Sequence, residues 1–131
     1  MNNQKTHTES IRILIVENEV IIAEDINESL KLLGYDQNDI AYNDLEASRL
    51  NAINNYDLIL MDIRLDGSKQ DGIQLANTIG GDAPIVFCTN HTDQETIRRI
   101  LNTPHLSYVL KPFQMDKIKD IIEAVLMKTT N

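Results

Sequence analysis

The sequence predicts an α/β domain in which a parallel sheet of five strands lies between two layers of helices. Three observations lead there. Four short apolar runs (Ile13-Leu14-Ile15-Val16, Leu58-Ile59-Leu60-Met61, Ile85-Val86-Phe87-Cys88 and Tyr108-Val109-Leu110) are rich in Ile, Val and Leu, as strands buried on both faces are. Helix-like stretches separate them, and strict alternation implies right-handed crossovers with helices on both faces of the sheet. Each run also stops at polar residues, in turn Glu17-Asn18, Asp62, Thr89 and Lys111-Pro112. Ligands of open parallel sheets bind just beyond the carboxyl ends of the strands. The pattern therefore gathers two carboxylates, a carboxamide, a hydroxyl and an ammonium at one edge, a set suited to a divalent cation and a phosphoryl group.

The elements follow in order. After the first strand, residues 20–33 place Ile22, Ile26, Leu30 and Leu33 near helical spacing, and Gly34 ends that helix. Ile40-Ala41-Tyr42 is a weaker second strand at or near an edge. Residues 44–53, with Leu45, Ala47, Leu50 and Ile53, form a short helix capped by Asn43 or Asp44 and broken at Asn54-Asn55. The run from Asp66 to Gly72 is the clearest loop, and a third helix over 73–79 closes at Gly80-Gly81. Pro84 opens the fourth strand. Thr92-x-x-Glu95 has the form of a capping box, with Ile97, Ile100 and Leu101 turned inward and Pro104 ending the helix. Ile118, Ile121, Ile122, Val125 and Leu126 mark the best amphipathic helix of the chain.

With 131 residues the chain makes one domain over 10–128 behind a polar, disordered lead-in over 1–9. Its 42% hydrophobic and 24% charged residues are the balance of a soluble globular protein. The formal net charge of −8 argues against direct nucleic-acid binding. A single cysteine excludes an internal disulfide and a cysteine-based metal cluster, which fits a reducing cytoplasm. No stretch reaches the length of a membrane span, and the start has no signal-peptide core. His7 and His105 have no ligand spacing to a second metal-binding residue, and Cys88 reads as a small buried hydrophobe.

Taken together, the motifs Ile13-Leu14-Ile15-Val16-Glu17-Asn18-Glu19, Asp57-Leu58-Ile59-Leu60-Met61-Asp62-Ile63-Arg64-Leu65, Asp71-Gly72, Thr89 and Lys111-Pro112-Phe113 resemble the receiver domain of two-component response regulators. The resemblance covers about residues 10–126. It implies a flavodoxin-like fold, a three-layer (βα)5 arrangement with strand order 2-1-3-4-5. Asp62 would then accept a phosphoryl group from a histidine kinase or a histidine phosphotransfer protein and become an aspartyl phosphate. Glu17 and Asn18 hold the positions of the family's acidic pair, which binds Mg²⁺. With Asp62, the main-chain carbonyl of Arg64 and waters, they would complete an oxygen shell. Lys111 would contact a phosphoryl oxygen, through a loop with a cis bond to Pro112, and Thr89 would hydrogen-bond the attached phosphoryl. Tyr108 stands where the family has an aromatic that swings inward as that threonine moves. The surface of the fourth helix, fifth strand and fifth helix would switch partner preference and is the candidate surface for a homodimer. Such a domain catalyses only its own phosphorylation and dephosphorylation.

Several positions depart from the family pattern. Asn18 replaces the usual carboxylate, which removes one negative charge and should weaken Mg²⁺ binding. Asn90 follows Thr89 where the family has a very small residue, so it should narrow access to the acceptor. Arg64 and His91, two residues beyond Asp62 and Thr89, occupy positions that tune phosphoryl lifetime; they would flank the group and slow its loss, or simply lie in solvent. The alternative function is a degenerate receiver that binds partners without phosphorylation, favoured by Asn18 and Asn90. A haloacid-dehalogenase-type phosphatase needs a second Asp where this chain has Arg64, and a flavodoxin needs a phosphate-cradling loop where Glu17-Asn18-Glu19 stands.

Overall fold

A computed structural model describes residues 10–90, 93–103, 107–111 and 114–129. Ten elements alternate without exception: β1 (Arg12–Val16), α1 (Val20–Leu32), β2 (Gln37–Ala41), α2 (Asp44–Ile53), β3 (Leu58–Asp62), α3 (Gly72–Thr78), β4 (Ile85–Thr89), α4 (Gln94–Leu101), β5 (Ser107–Leu110) and α5 (Met115–Thr129). All the strands are parallel, in the order β2-β1-β3-β4-β5. That is the three-layer order implied by the motifs. Its reversal point lies between β1 and β3, so Glu17 and Asp62 flank the crevice where the strand order turns back.

The two-residue period of the strands divides the core. Ile13 and Ile15 of β1 face one way, packing with Ile26 and Leu30 of α1 and Ile118, Ile122 and Val125 of α5. Leu14 and Val16 face the other, toward Ala47 of α2, Leu75 of α3 and Ile100 of α4. β3 and β4 are buried along their whole lengths, whereas β2 at the edge is buried only at Ala41. This explains why the central strands read as continuous apolar runs and the edge strand did not.

Local signals set the helix ends. Gly34 has φ 99°, and Gly34 N–H and Tyr35 N–H donate to the carbonyls of Lys31 and Leu30. That pair of bonds is a Schellman ending, and its usual apolar contact is supplied by Leu30 and Tyr35, which belong to the same core cluster. The Asn43 side chain caps α2 by accepting from Glu46 N–H. α4 starts one residue later than the Thr92 motif predicts: Asp93 is the cap, with one oxygen accepting from Thr96 N–H and the other from its hydroxyl, both at 2.9 Å. A carboxylate answered by two donors sets this helix start. Thr92 itself lies outside the described residues, as do residues 1–9, His91, Pro104, His105, Pro112 and Phe113.

The inward assignment of Leu101 is corrected. Leu101 is 67% exposed, and Leu45 and Ile53 are also on the surface. In α2 and α4 the helices are two to three turns long, and Ala47 or Ile100 with one partly buried neighbour fills the contact with the sheet. The predicted apolar face of α5 is the observed one, with Ile118, Ile122 and Val125 buried and Ile121 and Leu126 partly so.

Candidate functional site

Two backbone bonds carry the sheet ladder past its formal ends and fix the site residues. Glu17 N–H donates to Ala41 O at 3.0 Å, and Lys111 N–H to Thr89 O at 2.7 Å. The next residue along each chain is therefore held in strand-like register, with its side chain at the carboxyl edge. Lys111 Nζ then lies 2.6 Å from Glu17 Oε1 and 3.2 Å from Asp62 Oδ1. One ammonium thus ties β5 to β1 and β3. The three groups are secluded, with side chains 14%, 2% and 11% exposed for Lys111, Glu17 and Asp62.

Two carboxylates against one ammonium leave an excess negative charge in a poorly solvated place. Burial pushes the Asp62 carboxyl up to about 7; Lys111 opposes the rise and Glu17 adds to it. Burial alone would lower the Lys111 pKa, but its hydrogen bond to Glu17 and the charges of Asp62 and Glu17 reverse that, so the ammonium is held above its ordinary value. Cys88, fully enclosed on β4, has its thiol pushed up to about 12 by burial. It is a packing residue, not a nucleophile.

The remaining predicted residues fall around this centre. Thr89 ends β4 and is fully buried. Tyr108 pairs with Phe87 across β4 and β5, and its side chain reaches the surface. Asn90 and the Arg64 side chain are exposed, and Arg64 Nε approaches Asp66 Oδ1 only to 4.0 Å. Arg64 also lines, with Asp71, Asp93 and Thr96, an open groove of about 490 Å³. Glu19 is exposed, but its N–H donates to Glu17 Oε2 at 3.1 Å.

Asn18 is the most informative of the group. With its amide turned so that donors meet acceptors, Nδ2 donates to Arg64 O at 3.0 Å and to Glu17 Oε2 at 3.2 Å. Glu17 then accepts from Lys111 on one oxygen and from Glu19 N–H and Asn18 on the other. The oxygen donors around the edge are hard ligands of the kind Mg²⁺ selects, which usually takes one or two carboxylates and keeps several waters. Among the described residues no cluster of three or more His, Cys, Asp or Glu side chains could hold a metal. A cation here would depend on two carboxylates, the Arg64 carbonyl and the Asn18 amide oxygen.

Two supporting residues were not foreseen. Gly72 N–H donates to Ile63 O at 2.7 Å, and a Cβ on Gly72 would overlap the Asp62 carbonyl. Only glycine lets the start of α3 close on the end of β3. Its neighbour Asp71 caps α3 through Gln74 N–H with Oδ1 and takes Arg99 of α4 at 2.7 Å with Oδ2. The Asp71-Gly72 pair was visible as a loop motif, but the close approach depends on where β3 ends, which no local pattern encodes.

The comparisons with known proteins agree with the geometry. The family model for the response regulator receiver domain matches residues 13–123. The transcriptional regulatory protein PdtaR of Mycobacterium tuberculosis is 33% identical over 116 residues, covering 87% of this chain and 54% of that protein. A two-component response regulator from Clostridium difficile superposes with a TM-score of 0.84 at 28% identity, covering 93% of this chain and 100% of that one. The N-terminal domain of a response regulator/sensory box/GGDEF protein from Carboxydothermus hydrogenoformans has a TM-score of 0.80 at 33% identity, with 90% and 95% covered. The chain spans about half the length of the curated relatives it matches. No described helix is long and apolar enough to cross a membrane. On sequence, on fold and on the family match, this chain belongs to the response regulator receiver domains of two-component signalling.

Proposed function

We propose that Asp62 is the phosphoryl acceptor of a working receiver. The observation that carries the reading is the Lys111 ammonium bridging Asp62 and Glu17 at the crevice between β1 and β3. The donor is a phosphohistidine on a histidine kinase or a phosphotransfer protein. An Asp62 oxygen attacks phosphorus in line, the P–N bond breaks, and its electron pair stays on the imidazole nitrogen. Lys111 is within reach to follow the new phosphoryl oxygens, offsetting charge that Asp62 alone carried. Glu17, Asp62, the Arg64 carbonyl and the Asn18 amide oxygen would hold Mg²⁺, which when bound neutralises phosphoryl oxygens during transfer.

Once attached, the phosphoryl group recruits the Thr89 hydroxyl, and Tyr108 moves inward from its surface position. The α4–β5–α5 surface, with Leu101 and Tyr108 exposed on it, then favours different partners, a second copy of the chain included. The domain turns over no other substrate, touches no nucleic acid directly and works in the cytoplasm. Arg64, Asn90 and His91 are assigned the tuning of phosphoryl lifetime and access from their positions in sequence.

A degenerate receiver is the second reading, favoured by the Asn18 bonds that already satisfy Glu17 and Arg64 without a cation. Incubation with Mg²⁺ and acetyl phosphate, read by intact mass, separates the two. The expected result is one phosphoryl increment that disappears in Asp62→Ala. No increment from either acetyl phosphate or a histidine kinase would establish the degenerate reading, and an increment retained by Asp62→Ala would remove Asp62 from its role.

A further inference from the structure

The Asn18 carboxamide sits among the atoms that a cation would use. Its two ends are nearly identical in shape and opposite in chemistry: the amino group donates, the oxygen accepts. In one orientation the oxygen faces Arg64 O and Glu17 Oε2; turned so that donors meet acceptors, the amino end points inward and binds both at once. A carboxylate at this position could make neither bond. It would face Glu17 and the Arg64 carbonyl as a third negative group and would need a cation between them. An amide instead supplies its own partial positive charge between those oxygens. The same bonds obstruct a cation, because Arg64 O and Glu17 Oε2 cannot ligate while they accept from Nδ2, and the Asn18 oxygen points away.

We propose that the Asn18 carboxamide is a two-position latch of the acidic site: with its amino group inward it bridges Glu17 and the Arg64 carbonyl and holds the site closed without metal, and a half-turn about χ2 presents its oxygen to a hard divalent cation. This rests on the proposed Mg²⁺ site and adds a cost to filling it. The resting domain is ordered at its acceptor edge without metal, and metal entry is coupled to a side-chain rotation. Half of the latch is the conversion of a repelling contact into two hydrogen bonds, and half is the amide's retained ability to ligate.

The side-chain amide of Asn18 reports the latch directly. In the metal-free protein its two Nδ2 protons should exchange slowly with solvent and give separated NMR signals. Titration with MgCl₂ should move both signals and remove their protection, in step with the backbone amides of Ile63 and Lys111. Asn18→Asp, which cannot latch and adds a charge, should bind Mg²⁺ at least about tenfold more tightly and should melt at a lower temperature than the parent without metal and at a higher one with it. Backbone amides that shift while the Asn18 signals stay fixed and protected would overturn the latch and leave the metal site standing. If neither the parent nor Asn18→Asp responds to Mg²⁺ at all, the metal site itself is wrong and the latch falls with it. Binding by Asn18→Asp alone would overturn the second position of the latch, because the parent amide then never ligates.

Discussion

Arginine, tyrosine, asparagine and two aspartates gather at the start of β1, while a lysine, a glutamate, an aspartate and a threonine gather at the opposite edge of the same sheet. At the first place Arg12 reaches Asp39 at 3.2 Å and Asn54 Oδ1 at 3.2 Å and lies over the Tyr56 ring, and Tyr56 OH donates to Asp39 at 2.6 Å. The Asp57 carboxylate accepts from Arg12 N–H. Both partners of the ion pair there are 37% exposed, so water carries much of the charge. At the carboxyl edge the charges are nearly enclosed and do not balance. The first cluster is a fastener of β1, β2 and the β3 approach. The second holds uncompensated charge ready for a group that brings its own. Similar residue types differ in purpose through solvation and stoichiometry.

The largest expected effect comes from taking the cation out of the enclosed cluster. Lys111→Met leaves two buried carboxylates facing each other and should cost about 3 kcal/mol at pH 8 by denaturant unfolding, near the low end for a broken buried pair. Lowering the pH to where Asp62 is protonated should recover part of that loss. Equal destabilisation at both pH values would mean that Lys111 acts through packing alone. Gly72→Ala should come next, at about 2 kcal/mol, because backbone must shift to admit the Cβ. Since the obstacle is the Asp62 carbonyl, phosphoryl labelling should fall with it, and undiminished labelling would show that the acceptor tolerates the movement.

Asp62→Asn sharpens the contrast from another side. An unfolded aspartate titrates near about 4, and the folded Asp62 near about 7. Between those values the folded protein binds more protons than the unfolded chain, so this group makes the metal-free fold less stable as pH rises through the window. The stability difference between Asp62→Asn and parent should thus grow in favour of the variant from pH 4 to 7 and level off above. A flat difference would place the carboxyl in ordinary solvent. At the other cluster, Tyr56→Phe should cost about 1 kcal/mol, one hydrogen bond to a carboxylate. Arg12→Ala should cost less than that beyond its lost packing, with the ionic part fading in salt. Neither should change phosphoryl labelling. A labelling defect in either would break the separation between the two ends.

The central strands and their polar carboxyl edge were legible because each depends on runs of sequence, continuous apolar stretches for β1, β3 and β4 with a polar residue at the end of each, while the strand order came with the resemblance of the motifs to the receiver family. The α4 cap was misread by one residue because Thr92 and Asp93 are both good caps, and the choice is made by the Thr96 side chain answering Asp93. Leu101 was assigned inward because helical spacing gives a face but not its width, and the short helix α4 uses only a narrow one. The role of Asn18 was read as a missing charge. With the amide turned, one of its two hydrogen bonds goes to Arg64 O, a contact across 46 residues of chain.

Asp71 and Gly72 are consecutive, yet one grips α4 through Arg99 and the other rests against the backbone of Asp62. The first turn of α3 is therefore a short lever with its two arms on different clients. Any displacement of α4 that loosens Arg99 removes a restraint from the carboxylate that starts α3, and any movement of the Asp62 backbone presses on the same turn. By reciprocity, whatever partner prefers one position of α4 must also bias how the start of α3 rests on the Asp62 backbone and, on the proposed acceptor role, the phosphorylated fraction of Asp62 at equilibrium.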